Sequence, residues 1–256
     1  MNVFAYKIFC LTNLHVGSGD INYNIVDNEV ERDAVTGYPI IHASGLKGAL
    51  REHYSGKEGR GFEIRDVFGQ ESGSDEIKAG SYKFLDAYML GRPMRVRGSL
   101  ASIMVVSEKS VNDFIRRMNT FGVTKYGTEL LNVEFPEDVD FLSNESGISV
   151  EAETTKEIPE SAMEILRKLE ELIGDKVAIV KDFNDYDLPV VARNYLKDGE
   201  SKNLWYEEVV PHDSVFYTFV LTPDDTTLLE LEQEPYIQIG GNASIGCGFT
   251  KFAKLN

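Results

Sequence analysis

The sequence predicts an α+β fold, in which helices pack on one side of a sheet. Residues 3–11 and 215–221 alternate between the two faces of a strand. Residues 111–121 and 159–173 instead carry apolar side chains at helical spacing. The elements follow one another without the regular alternation of strand and helix that a parallel sheet requires. An α+β arrangement is therefore favoured.

In the first half, a glycine-containing turn at 15–20 follows the strand at 3–11. A helix is predicted to begin at Ser44, because serine is a favourable N-cap residue. Lys47 and Arg51 lie four positions apart on the flank of this helix. Residues 55–80 are polar and rich in glycine, and we interpret them as a mobile excursion. Residues 80–90 alternate as a strand, which is expected to end in the segment 92–98.

In the second half, the helices at 111–121 and 159–173 are interpreted as core-packing elements. Residues 188–210 predict a long hairpin, with Asp198 and Gly199 at its tip. The strand at 215–221 follows, and a glycine-rich segment at 237–249 precedes a last strand at 249–255.

Length and composition limit the class of protein. The chain has 256 residues, of which 42% are hydrophobic, and this is enough to bury the core of one elaborated domain. No apolar run approaches the length of a membrane span, and the first residues lack the features of a secretory signal. Two cysteines are too few for a disulfide scaffold, and four histidines show no zinc-ligand spacing. We therefore expect a soluble, cytoplasmic protein.

The net charge of −16 is unevenly distributed along the chain. Residues 1–125 hold 16 Lys and Arg against 15 Asp and Glu, whereas residues 126–256 hold 10 against 27. A strongly acidic protein would ordinarily exclude nucleic acid as a ligand, because phosphate binding requires a basic surface. Since the acidity belongs to the second half, it does not exclude nucleic acid here.

Two segments predict a ligand that is rich in phosphate. Residues 237–249 contain four glycines and no charge, and glycine lets backbone N–H groups converge on phosphate oxygens. The predicted helix near Ser44 carries two cations close to its N-terminus, where the helix dipole favours an anion. Each segment also fits a simpler interpretation, as a tight connection or as a solvated helix flank.

Two clusters of charged residues suggest chemistry. Arg92, Arg95 and Arg97 fall within six residues, a density that favours anion binding. Acidic residues crowd together at 27–33. A carboxylate in this cluster could bind a metal ion or accept a proton in phosphodiester chemistry, and the alternative is a polar loop.

Seven short motifs span nearly the whole chain in a fixed order. They lie at 15–19 (His-Val-Gly-Ser-Gly), 27–32, 36–39 (Thr-Gly-Tyr-Pro), 44–51 (Ser-Gly-Leu-Lys-Gly-Ala-Leu-Arg), 84–95, 204–208 (Leu-Trp-Tyr-Glu-Glu) and 240–248. This ordered set resembles the RAMP-type backbone subunits of type III CRISPR effector complexes, and most closely those of the Cmr (type III-B) complex. Coincidence does not explain seven collinear matches.

The resemblance implies a modified ferredoxin-like (RRM-like) palm within a single RAMP-type domain of residues 1–256. A finger-like insertion would occupy about 55–80, and a β-hairpin thumb about 188–210. The implied partners are a CRISPR guide RNA, a complementary target RNA, other Cmr effector subunits and further copies of the same chain in a helical filament. No membrane is involved.

The resemblance further implies a metal-dependent endoribonuclease that cleaves target RNA at regular intervals, by attack of a ribose 2′-hydroxyl on the neighbouring phosphate. Asp27 matches the family's catalytic position, a divalent cation (Mg²⁺ or Mn²⁺) would bind there, and His15 or Glu208 would assist. The residues implied to bind RNA are Ser44, Lys47, Arg51, Arg92, Arg95, Arg97, Gly240, Gly241, Asn242, Gly246 and Gly248. Two alternatives stay open: a filament subunit that binds guide RNA without cleaving, and the equivalent subunit of the type III-A complex.

Overall fold

The structure is a computed structural model that describes residues 1–17, 19, 25–58, 61–70, 79–98, 101–145, 147–225 and 229–256. The chain divides into two compact units. The first contains Met1–Tyr88, Leu188–His212 and Thr218–Leu255, and the second contains Met89–Asp187, Asp213–Tyr217 and Asn256. The expectation of a single domain stays a prediction, because compactness does not show whether either unit folds alone.

The described residues form both helices and strands, which confirms the α+β class. The strands are β1 (Asn2–Cys10), β2 (Ile40–Ile41), β3 (Lys83–Phe84), β4 (Ala87–Arg97), β5 (Ser102–Ser107), β6 (Phe141–Leu142), β7 (Ser149–Val150), β8 (Glu153–Lys156), β9 (Val177–Val180), β10 (Val190–Lys197), β11 (Glu200–Glu208), β12 (Val215–Thr222), β13 (Ile237–Gln238) and β14 (Phe249–Lys254). The α-helices are α1 (Ala43–Ser55), α2 (Ile64–Phe68), α3 (Glu108–Thr120) and α4 (Met163–Ile173).

The core of the first unit is built on β1 and α1. β1 pairs antiparallel with β14, from Tyr6 opposite Lys254 to Cys10 opposite Thr250. The rings of Tyr6 and Phe252 meet edge to face at 6.3 Å, and both are buried. α1 buries one stripe of side chains at helical spacing, Leu46, Leu50 and Tyr54. The predicted strand and helix are therefore present, and their apolar faces point into the protein.

The start of α1 differs from the prediction. The N-cap residue is His42, whose side chain does not cap the helix, and Ser44 lies exposed in the first turn. Asp86, which lies between β3 and β4, supplies the cap instead, because its Oδ1 accepts a hydrogen bond from the Ala43 N–H at 2.6 Å. The assignment of Ser44 as N-cap is wrong, since a carboxylate that is distant in sequence satisfies the helix end.

The second unit contains most of β4, strands β5 to β9, and helices α3 and α4. β4 and β5 form an antiparallel pair, and β5 continues into a parallel pair with β9. α3 begins with a capping box, in which the side chains of Ser107 and Ser110 each accept from the other's backbone N–H. Both helices fall in the segments where periodicity predicted them. β4 ends at Arg97, within the segment 92–98 where the strand end was predicted, but the stretch that precedes it is divided, because β3 and β4 are separate strands.

The predicted hairpin is confirmed. β10 and β11 pair antiparallel from Val190 opposite Glu208 to Lys197 opposite Glu200. Asp198 and Gly199 form the turn with φ values of 53° and 80°, and two positive φ values match the twist of a two-residue hairpin connection. Three large apolar side chains near the tip are exposed, Tyr195, Leu196 and Leu204.

The segment predicted as an excursion at 55–80 contains helix α2, which the composition did not indicate. Residues 59–60 and 71–78 of this segment lie outside the described residues, as do Ser18 and Asp20 of the predicted turn at 15–20. In the part of the chain that the structure describes, no helix is both long and apolar enough to cross a membrane.

The contacts of Glu234 with the C-terminal end of α1 predict that the stability of the fold depends on pH. Glu234 Oε2 lies 2.9 Å from His53 Nε2 and accepts a hydrogen bond from Lys57. Burial alone would raise the pKa of Glu234, but the hydrogen bonds from Lys57 and His53 outweigh burial, so the pKa lies below its usual value. The carboxylate therefore stabilises the fold above the unfolded pKa of about 4.3, and this stabilisation is lost as the pH falls through the lower folded pKa.

Glu234→Gln should lower the free energy of unfolding by about 1–2 kcal/mol at neutral pH, because a charge-assisted pair is lost. The difference from wild type should shrink as the pH falls below the unfolded pKa of about 4.3 and through the lower folded pKa, because the wild-type carboxylate is then protonated. Urea denaturation at several pH values measures this. Glu232→Gln, an exposed change on the same segment, is the control and should leave the profile unchanged. A difference between wild type and Glu234→Gln that stays constant as the pH is lowered well below about 4 would contradict the assignment.

Candidate active site at the base of the hairpin

His15 is held at the base of the hairpin in a defined tautomer. Leu14 and Val210 exchange two backbone hydrogen bonds of 2.9 Å, which fix the chain just before His15. The ring is 8% exposed, and its Nδ1 lies 2.8 Å from the carbonyl oxygen of Glu208. A carbonyl can only accept, so Nδ1 carries the proton and Nε2 of the neutral ring is an acceptor. A Cβ on Gly17 would lie 3.0 Å from Nε2, so glycine keeps the approach to this nitrogen open.

Asp27 is attached to β11, the strand that also holds His15, at a position two residues before Glu208. Its N–H donates to the carbonyl of Tyr206 at 3.0 Å, and its Oδ2 accepts from the N–H of Tyr206 at 2.8 Å. Residues two apart on a strand face the same way and are separated by about 7 Å. The structure therefore brings the attachment points of Asp27 and His15, at Tyr206 and Glu208, to one stretch of β11. Asp27 itself is exposed.

Glu208 joins this arrangement through both its backbone and its side chain. Its Oε1 accepts from Arg32 at 2.5 Å, and its Oε2 accepts from the N–H of Val30 at 3.1 Å. The carboxylate thus holds the 27–33 loop, while the backbone carbonyl holds His15. Of the three residues predicted to act in cleavage, Glu208 has the contacts of a group that positions the other two.

Glu207, which sequence reasoning did not select as a site residue, points away from Glu208 and is 5% exposed. It accepts three hydrogen bonds, from Arg193 Nε at 3.1 Å, Trp205 Nε1 at 2.8 Å and Asn242 Nδ2 at 2.8 Å. Burial would raise the pKa of Glu207, but the hydrogen bonds from Trp205 and Arg193 outweigh burial and lower it. A signal was present in the sequence: adjacent glutamates in a strand face opposite ways, so Glu207 and Glu208 have different neighbours and each could be examined as a site residue.

The glycine segment touches the site from the other side. The N–H of Gly241 donates to the carbonyl of His15 at 2.9 Å. Gly240 has φ +81°, and a Cβ there would approach that carbonyl oxygen more closely than 3.0 Å. Asn242 reaches Glu207 as described above. Gly240, Gly241 and Asn242 therefore hold His15 and the hairpin stem together.

The expectation that this segment's N–H groups converge on phosphate is not supported for three of its glycines. The N–H of Gly241 is bonded to His15, that of Gly246 donates to Ala243 at 3.0 Å, and that of Gly248 donates to Asn13 at 2.8 Å. Backbone donors that are already paired within the protein cannot also cradle an anion. These glycines instead allow close backbone approach and tight turning.

The cations predicted on α1 differ in their surroundings. Lys47 lies half-buried on the flank of α1. Arg51 donates a hydrogen bond to the carbonyl of Gly69, just beyond the end of α2. Asp86 already places a negative charge at the helix start, which disfavours a phosphate at that point. Lys47 is thus better placed than Arg51 to meet an external anion.

The three arginines on β4 do not act as one cluster. Arg92 is 4% exposed, donates to the carbonyls of Tyr186 at 2.5 Å and Asp187 at 3.2 Å, and stacks near the ring of Phe183. The prediction that Arg92 binds RNA is wrong, because its guanidinium is enclosed within the second unit. Arg95 and Arg97 lie on the opposite face of the strand and are exposed, and Arg95 pairs with Glu151 at 3.1 Å.

The described residues do not form a preassembled metal cage. Among them, no group of three or more His, Cys, Asp or Glu side chains could hold a metal ion. Mg²⁺ does not require such a cage, since it commonly binds one or two carboxylates together with substrate phosphates and waters. Asp27 fits that pattern, because its side chain is exposed to solvent. The hydrogen bond from the Tyr206 N–H to Oδ2 holds the carboxylate in place.

Comparison with known proteins gives one family and several relatives. The model of the RAMP superfamily matches residues 7–251. The CRISPR system Cmr endoribonuclease Cmr4 of Pyrococcus furiosus is 29% identical over 284 residues, which cover 98% of this chain and 95% of that protein.

Solved structures share the fold. The crystal structure of oligomeric Cmr4 from Pyrococcus furiosus matches with a TM-score of 0.73 and 24% identity over 100% of both chains. A chain in the cryo-EM structure of the type III-B Cmr-beta complex bound to cognate target RNA matches with a TM-score of 0.73 and 20% identity, over 100% of this chain and 98% of that chain.

The contact between the glycine segment and His15 predicts an unequal effect of two alanine substitutions. Gly240 and Gly246 have nearly equal positive φ values, +81° and +83°, but a Cβ at Gly246 meets nothing within 4 Å. Gly246→Ala should therefore cost only the backbone strain, about 1–2 kcal/mol. Gly240→Ala should cost clearly more, on the order of 3 kcal/mol or above, because it also displaces the His15 carbonyl. Urea denaturation of both variants tests this, and equal losses would refute the close approach.

Proposed function

The chain belongs to the RAMP superfamily, and from that premise we propose that it is a guide-RNA-binding backbone subunit of a type III-B CRISPR effector complex that cleaves complementary target RNA. The observation that carries the proposal is the attachment of Asp27 and His15 to one stretch of β11. The named relative, an endoribonuclease matched along 98% of this chain, supports the same reaction. The structures of oligomeric Cmr4 and of the RNA-bound type III-B complex support self-association, partner subunits and RNA as a ligand.

The proposed reaction is attack by a ribose 2′-hydroxyl on the adjacent phosphate. The 2′ oxygen forms a bond to phosphorus, the bond from phosphorus to the 5′ oxygen breaks, and the hydroxyl proton leaves to a base while the 5′ oxygen gains a proton. His15 Nε2 is the acceptor in the neutral ring and suits proton transfer. Asp27 contributes a negative charge beside the reacting groups, and Glu208 positions both residues. DNA lacks the 2′-hydroxyl, so it cannot react in this way.

We also propose that cleavage depends on a divalent cation, Mg²⁺ or Mn²⁺. Asp27 is the protein group that would hold it, with RNA phosphate oxygens and waters as further ligands. When bound, such a cation stabilises the charge that develops on the phosphate.

The hairpin at 188–210 is proposed as the thumb, and a ferredoxin-like palm with a finger at about 55–80 as the rest of the fold. The exposed apolar side chains Tyr195, Leu196 and Leu204 suit insertion against nucleic-acid bases, because bases stack on or pack against such groups. Lys47, Arg95 and Arg97 are the proposed contacts to the RNA backbone. An acidic second half would keep stray RNA from other surfaces, and a cytoplasmic location fits the proposed target.

The first test is Asp27→Asn in the complex assembled with guide RNA. The asparagine carbonyl oxygen can still accept the Tyr206 N–H, so the loop should keep its place while the charge is lost. We expect complementary RNA to bind with near wild-type affinity and to be cleaved about a hundredfold more slowly or worse. A cleavage time course with Mg²⁺ or Mn²⁺ and a gel-shift titration measure the two quantities.

The matched control is Asp33→Asn. Asp33 Oδ1 accepts from the N–H groups of Val35 and Thr36, a turn that asparagine also forms, so cleavage should stay at the wild-type rate. Full activity of Asp27→Asn would transfer the role to another acid of the loop. A wild-type complex that binds target without cleaving it would instead support a purely structural filament subunit.

The second test addresses the thumb. Residues 196–204 are replaced by a short glycine turn, which keeps the pairs from Val190 opposite Glu208 to Arg193 opposite Trp205. The fold should survive, because exposed hairpin tips tolerate change, but the spacing of target cuts should become irregular. Lys197→Ser with Lys202→Ser is the control, since it removes charge and leaves the apolar side chains in place. Evenly spaced cuts at full rate by the shortened protein would show that the hairpin is not the thumb.

A further inference from the structure

His42 lies between two carboxylates outside the site at the base of the hairpin. It directly precedes α1 with an extended backbone, φ −60° and ψ 144°. Its Nε2 is 3.2 Å from Glu31 Oε1, and its Nδ1 is 3.5 Å from Asp86 Oδ1. The ring therefore spans the gap between a loop residue and a residue at the edge of β4, and the two carboxylates face different nitrogens.

The Asp86 end of this link is fixed by α1. The same Oδ1 that faces His42 accepts the hydrogen bond of the Ala43 N–H at 2.6 Å. A carboxylate at this position is held by the helix dipole as well as by the hydrogen bond. Glu31, on the other side of the His42 ring, is thereby placed relative to the start of α1.

The Glu31 end is joined to the proposed active site through the backbone. The N–H of Glu31 donates to the carbonyl of Val16 at 2.8 Å, next to His15, and its carbonyl accepts from the N–H of Ile40 at 3.1 Å. The next residue, Arg32, pairs with Glu208. Movement of Glu31 therefore displaces the loop that carries Asp27.

We propose that His42 is a positioning residue, which holds the 27–33 loop to the start of α1 and so sets the placement of Asp27 for cleavage. The proposal rests on the proposed function. The ring suits this role, because an imidazolium donates to two carboxylates at once while a neutral ring donates to one. The side chain is 47% exposed, so the pair contributes little to overall stability and its effect lies in loop placement.

The test compares variants in the complex assembled with guide RNA. His42→Ala keeps the hydrogen bond from Ala43 to Asp86 and leaves Lys47 in place. Guide and target affinities should stay within about twofold of wild type and KM should be unchanged, while kcat should fall about three- to tenfold because the acid is misplaced. His42→Gln should restore part of kcat, since its amide donates to one carboxylate.

A cycle of variants separates positioning from a general loss of structure. Glu31→Gln should lower kcat to a similar degree, and the double variant His42→Ala with Glu31→Gln should be no slower than the slower single variant. Glu52→Gln, an exposed change on α1, is the control and should leave kcat unchanged. Wild-type kcat in His42→Ala, or a double variant whose loss is the product of the single losses, would overturn the proposal.

Amide hydrogen exchange of the free protein distinguishes failure of this proposal from failure of the proposed function. The amides of Asp27 and Glu31 are hydrogen-bonded and should exchange faster in His42→Ala than in wild type, whether or not the complex cleaves RNA. Unchanged exchange at both amides would overturn the link. Faster exchange in a protein that does not cleave would leave the link standing and reject the cleavage function.

Discussion

The end of β11 is the feature on which the rest of the first unit depends. Three consecutive residues, Tyr206, Glu207 and Glu208, attach the 27–33 loop, the glycine segment, strand β10 and His15. A strand can do this because its side chains alternate between faces while its edge still offers backbone donors and acceptors. One short stretch of chain thus receives segments from both ends of the sequence.

This arrangement places two neighbouring carboxylates almost out of contact with water. Glu207 and Glu208 point to opposite faces, so each meets its own arginine, Arg193 and Arg32 respectively. A buried charge that loses its partner costs roughly 3–5 kcal/mol, whereas a fully hydrogen-bonded one is tolerated. Trp205 and Asn242 donate further hydrogen bonds to the Glu207 carboxylate. The N–H of Val30 donates a further hydrogen bond to the Glu208 carboxylate. The network gives the hairpin a fixed base, on which an exposed apolar tip can be presented.

In this network the backbone of the glycine segment lies directly against the backbone of His15. A side chain at Gly240 would collide with the carbonyl of His15, and the N–H of Gly241 binds that same carbonyl. The backbone of His15 is therefore held from one side by glycine and its ring from the other by the Glu208 carbonyl. A histidine restrained at both points keeps one tautomer and one direction for Nε2, as a proton-transfer group requires.

The sequence by itself determined the features that neighbouring residues decide. Asp198 and Gly199 predict the hairpin turn, and apolar spacing predicts α3 and α4, because these patterns act over a few residues. The resemblance carried by the ordered motifs also predicts His15, Asp27 and Glu208 as site residues. Tertiary structure alone decided how they meet, since the bonds from His15 and Arg32 to Glu208 span 193 and 176 residues. It likewise buried Arg92, whose guanidinium binds the distant carbonyls of Tyr186 and Asp187, and capped α1 with Asp86 rather than Ser44. Local patterns carry no information on which distant group reaches a given donor, and that pairing fixes each of these residues.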